Sequence, residues 1–145
     1  MRFARVAAIV MLTFLGLSAI AGAIPMIAGS LRSAWSIMPL SLLQYSPFHS
    51  YLVPGLILLF ANGLLALWIL GLVWRQQDHA GLWTVFQGCV LLGWLVVECV
   101  MLRLVMWLHF VYGAIALVLI VAGLALRGVS TTSPLTDKQR EKQSV

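Results

Sequence analysis

The chain has 145 residues, 62% of them hydrophobic and only 9% charged, with a net charge of +5 and a mean hydropathy of +1.03. A soluble domain carries about 25% charged residues, so a water-soluble fold of this size could not hide so much apolar surface, and lipid is the solvent for most of the chain. Nucleic-acid binding is also excluded as the meaning of the positive charge, because the nine Lys and Arg residues are scattered at the ends of apolar segments, with no basic face and no nucleic-acid motif.

The first apolar segment runs from about residue 6 to residue 28, behind Arg2 and Arg5. Its start resembles a secretory signal, with small residues at Ala21 and Ala23 after an apolar run. The run nevertheless continues through Ile24 to Ala28, so a retained first helix is expected. Ser18 with Gly22 and Ala19 with Ala23 form two small-xxx-small pairs that permit close backbone approach. Residues 29–50, "GSLRSAWSIMPLSLLQYSPFHS", are expected to lie as an outer loop along the membrane interface, where Trp and Tyr are favoured. Ser46 and Pro47 read as an N-cap and first helical position leading into the second helix. That helix is expected over 51–74, with Pro54 as a site for a kink and Asn62 sharing a face with Gly55 and Ala66.

A short polar turn follows, "RQQDHAG", residues 75–81. From Leu82 to Leu126 the chain is again apolar, and as one helix this stretch would be about 67 Å long. The hydrocarbon layer is only ~30 Å thick, so the stretch must fold back on itself. Arg103 is the charged residue nearest its middle, which places the turn around 102–106 and the helices over 82–102 and 106–126. No Gly or Pro marks this turn. Residues 129–145 are polar and Pro-broken and are expected to form a disordered tail. The expected architecture is therefore all-α, an antiparallel four-helix transmembrane bundle over residues 1–128. Orientation follows from the basic residues near the span ends. Arg2, Arg5, Arg75, Arg127, Lys138, Arg140 and Lys142 fall on one side, and only Arg32 and Arg103 on the other. Both termini are expected to be cytoplasmic.

At ~100° per residue, Thr84, Gln87, Leu91 and Trp94 share the face of Glu98 on the third helix. On the fourth, His109, Tyr112, Gly113, Ala116 and Gly123 fall together. Asn62, Gln87, Thr84 and Tyr112 are thus candidate polar groups of the bundle interior. Glu98, Arg103, His109 and His49 are expected near one another at the outer end. A charge inside a span costs about 2.5–3.5 kcal/mol at mid-bilayer, so Glu98 needs a reason. One reason is pairing with Arg103 or His109 that locks the hairpin. The other is a binding or proton-handling site, since a protonatable carboxyl beside a histidine suits proton-linked transport or quinone binding.

Other chemistries fit less well. His49, His109 and Glu98 have no metal-ligand spacing, and no histidine pair is placed to bracket a haem within the bundle, so neither a metal nor a cofactor is expected. Cys89 and Cys99 lie ten residues apart on one helix, about 15 Å in rise, which is too far for a disulfide; they read as buried apolar thiols. Trp68 and Trp94, well inside their spans, read as packing residues.

The stretch "SPFHSYLVPGLILLFANG", residues 46–63, followed by "GCVLLGWLVVECVMLRLVMWLHFVYG", residues 88–113, resembles an uncharacterised family of small bacterial four-span integral membrane proteins. The resemblance is carried by Ser46-Pro47-Phe48, Pro54-Gly55-Leu56-Ile57-Leu58, Gly93-Trp94, Trp107-Leu108-His109 and Tyr112-Gly113, and spans roughly residues 40–125. It implies a location in the bacterial inner membrane and transfers no site residues. Small four-span drug exporters share only the helix count, because their essential glutamate lies in a first helix that here contains none. The expected function is that of a non-enzymatic accessory or structural component of the membrane, acting as a homo-oligomer or with a membrane partner protein. The alternative is a small transporter or ligand-binding protein using the outer polar cluster, with an enzyme acting on a lipid or quinone third. Asn62 and Gln87 discriminate the first two: a water path continuous with Glu98 favours transport, whereas pairing across a dry core opposes it.

Overall fold

The computed structural model describes residues 2–31, 49–103 and 105–130. Four helices, each long and apolar enough to cross a membrane, account for nearly all of them: α1 (Arg2–Leu31), α2 (Leu52–Trp74), α3 (Ala80–Leu102) and α4 (Trp107–Ser130). There is no strand among the described residues. The helices run up, down, up and down, each packing on its sequence neighbours, and α4 returns to α1 to close the ring. One end of the bundle carries the start of α1, the 75–79 turn and the end of α4; this is called the terminal end below. The expected interfacial loop and the polar tail fall largely outside the described residues, as do Ser46 and Pro47.

Each helix buries one stripe and leaves the rest for lipid. On α1 the buried residues are Ala8, Leu12, Leu15, Gly16, Ala19 and Ala23, a spacing of one and two turns along a single face. Large apolar side chains such as Phe14, Leu17 and Ile24 point outward. Of the two small-xxx-small pairs, Ala19 with Ala23 faces the interior. The hydroxyls of α1 hydrogen-bond within the helix: Thr13 to Ile9 O at 2.8 Å, Ser18 to Leu15 O at 3.1 Å and Ser30 to Met26 O at 2.8 Å. The helix outruns its expected end at residue 28 despite Pro25, because lipid offers no competing partner for a freed carbonyl and favours continued helix.

The second helix starts at Leu52, with Tyr51 as N-cap and Gly55 N–H bonding Tyr51 O at 2.9 Å. Bends at 49–51 precede it, and the expected N-cap at Ser46 and Pro47 lies outside the described residues. Pro54 lies in the first turn, where its missing N–H has no helical partner to lose. It sets the start rather than a kink.

The irregularity in α2 comes later. Leu58–Leu64 form a π-helical segment, in which amides bond five residues back instead of four. Leu65 N–H reaches Phe60 O; in a regular α-helix that amide would serve Ala61 O.

The two short turns share one device. Gln76 and Arg103 are the only non-glycine residues with positive φ among the described residues, at 54° and 49°. After α2, Gln77 N–H bonds Leu72 O at 3.1 Å and Gln76 N–H bonds Val73 O at 3.3 Å, the paired bonds of a Schellman ending with glutamine where glycine is usual. Arg103 ends α3 in the same left-handed region, so a hairpin without Gly or Pro turns there.

Seams differ in how they close. Between α3 and α4 the backbones nearly touch: a Cβ on Gly123 would stand 2.7 Å from Gly81 O and 2.7 Å from Val85 N, so only glycine fits. Between α1 and α4 an open apolar groove of about 430 Å³ remains near the terminal end, lined by Phe3, Ala7, Leu117, Val118 and Val121 among others. Across α1 and α2, Arg5 Nη2 donates to Trp74 O at 2.8 Å. This puts a cation on the last carbonyls of α2, where the helix dipole favours it.

Candidate functional site

Two polar groupings stand out, at different depths. The deeper one joins α2 to α3. Gln87 lies seven residues into α3, about 10 Å from its start, and Asn62 lies inside the π segment. Both are completely buried, as is Thr84 one turn before Gln87. Gln87 Nε2 donates to Ala61 O at 3.1 Å and approaches Asn62 Oδ1 at 3.4 Å. The first bond explains the π segment. Shifting the register of α2 takes the usual amide away from Ala61 O, and the Gln87 side chain supplies a donor in its place. A carbonyl left unpaired in a lipid-surrounded core is costly, so Gln87 and the π register support each other. Thr84 Oγ1 donates to Ala80 O at 2.7 Å in its own helix.

The shallower grouping joins α3 to α4 at the end opposite the termini. Glu98 lies one turn before the end of α3, and His109 lies in the first turn of α4. Nε2 of His109 is 3.8 Å from Oε2 of Glu98, with the histidine side chain 10% and the glutamate 38% exposed. Met106 N–H donates to His109 Nδ1 at 3.0 Å, and His109 N–H returns to Met106 O at 3.0 Å. His109 therefore fills the role that Glu or Gln plays in a capping box, three residues past the N-cap. With Nδ1 accepting, the neutral ring carries its proton on Nε2, the atom that faces Glu98. That nitrogen has no hydrogen-bond partner among the described residues.

The four residues expected at the outer end are thus not all brought together. Glu98 and His109 face each other. Arg103 is exposed on the turn between their helices, and its left-handed backbone is what lets α3 end before it. His49 is exposed ahead of α2 and makes no ion pair with Glu98 among the described residues. Tyr112 is half-buried and packs toward α1, its ring 6.3 Å from that of Phe14. Among the described residues, no group of three His, Cys, Asp or Glu side chains is placed to hold a metal ion.

Between the two groupings, α3 presents Leu91, Trp94 and Leu95, all buried. Eleven residues, about 16 Å of rise, separate Gln87 from Glu98, and this interval is apolar. Cys89 is exposed and Cys99 half-exposed, which corrects the expected burial of both thiols: position 89 falls on the lipid side of α3, beside Phe86 and Val96. Trp68 likewise faces outward, edge-on to Trp83 with centroids 5.0 Å apart, while Trp83 stands edge-on to Phe86 at 5.6 Å. The π segment and the capping role of His109 were not foreseen from the residues. The only local signal of the first is Asn62-Gly63, two weak helix formers within a span.

No family model, curated protein or solved structure matches the chain.

Proposed function

We propose that the chain is a non-enzymatic component of the bacterial cytoplasmic membrane, an accessory or structural protein that works as an oligomer or beside a membrane partner protein. We place it with the small bacterial four-span proteins that it resembles. The observation that carries this reading is the Asn62–Gln87 pair in a closed core, cut off from Glu98 by Leu91, Trp94 and Leu95. A transport path needs polar groups continuous from one face of the membrane to the other, and here two polar pairs are separated by apolar turns. Arg2, Arg5, Arg75 and Arg127 at the terminal end support an orientation with both termini in the cytoplasm.

The test is gentle extraction of the tagged chain at native expression level, followed by intact mass spectrometry of the complex. Other subunits or further copies in fixed ratio are the expected result. A chain recovered alone with a retained small molecule would overturn the reading. It would favour the second one, a ligand-binding or transport protein using the outer pair, for which the unpartnered His109 Nε2 facing Glu98 speaks. In that case Glu98→Gln and His109→Gln should release the molecule.

A further inference from the structure

The deeper pair leaves one donor and one acceptor unused. Gln87 Nε2 is committed to Ala61 O and Asn62 Oδ1. Asn62 Nδ2 and Gln87 Oε1 are buried and have no hydrogen-bond partner among the described residues. Turning an amide over does not help. Reversing Gln87 would set its oxygen against Ala61 O, and reversing Asn62 would set its NH₂ against the NH₂ of Gln87. A donor and an acceptor on adjacent side chains are therefore both fixed in place, without a partner among the described residues.

We propose that Asn62 and Gln87 hold one internal water molecule, which accepts from Asn62 Nδ2 and donates to Gln87 Oε1. The chemistry selects the occupant. A cation would face the Nδ2 hydrogens and an anion would face the Gln87 oxygen. A neutral molecule with one donor and one acceptor satisfies both, and water is the smallest. Buried waters bind where polar groups would otherwise go unsatisfied, and a membrane core offers no bulk solvent to take their place. The water ties the π segment of α2 to α3 through a further link beside the Gln87–Ala61 and Gln87–Asn62 bonds. It is an isolated site, because Leu91, Trp94 and Leu95 close the side toward Glu98.

The experiment is water-selective NMR on the full chain in lipid nanodiscs, with ¹⁵N in the Asn and Gln side chains. The expected result is a cross-peak from the Asn62 side-chain protons to water, opposite in sign between laboratory-frame and rotating-frame spectra, which marks a long-lived bound molecule. Gln87→Met should abolish it. Absence of the peak, with the Asn62–Gln87 cross-peak intact, would overturn the proposal and leave a dry pair. A peak of the same sign in both spectra marks exchange with bulk water and would equally overturn it by revealing an open path. These outcomes are independent of whether partner subunits co-purify.

Discussion

The two polar pairs are built alike and tuned apart. Each joins neighbouring helices through one side chain from α3, yet the deep pair is neutral and fully buried while the shallow pair is ionisable and partly open. Depth accounts for the difference. Amides can be buried if their hydrogen bonds are met, whereas a carboxylate carries a desolvation cost that falls toward the interface. The deep pair is also entangled with the backbone, since Gln87 completes the π register of α2. Among the described residues Glu98 bonds no backbone atom in this way, whereas His109 does, through Met106. The deep pair should therefore govern stability, and the shallow pair should be replaceable.

Five substitutions break or sharpen that contrast. Gln87→Leu should cost most, about 2–3 kcal/mol, because it strands Ala61 O and Asn62 together; unfolding by graded denaturant in mixed micelles would measure it. A neutral result there would put the weight of the bundle elsewhere. Gly123→Ala is the apolar control and should cost about 1–3 kcal/mol by forcing α3 and α4 apart, a loss visible in the same titration. At the shallow pair, His109→Ala should cost about 1 kcal/mol through the lost bond to Met106 N–H. His109→Gln should recover most of it, since glutamine suits that capping position. Glu98→Gln should change stability least, by under about 1 kcal/mol, as for a partly exposed polar pair. A larger effect of Glu98→Gln than of Gln87→Leu would reverse the comparison.

Much of this was legible in the residues. Hydropathy and length alone demand four crossings, and the ~67 Å argument finds the hairpin at Arg103 without a turn residue to help. Helical arithmetic also places Thr84, Gln87, Leu91 and Trp94 on one face, and all four are buried. The π segment escapes such reasoning because its cause is not local: the donor that permits it arrives from another helix, 26 residues away in sequence. The cap on Met106 escapes for a different reason. His109 caps only if α4 begins at residue 107, and a boundary placed one residue earlier hides the spacing. The outward thiol at Cys89 shows a third limit, since lipid accepts small apolar groups as readily as the interior does.

The Arg5–Trp74 bond bears on the order in which the molecule assembles. Everything needed to latch α1 onto α2 has been synthesised once residue 74 emerges, so the first hairpin can close while the second is still in the ribosome. The seam between α4 and α1 must wait for the last span. It is also the seam that retains an open groove, between Phe3 and Val121. A seam that waits for α4 is thus one that keeps an open apolar groove, and the ring is completed along it.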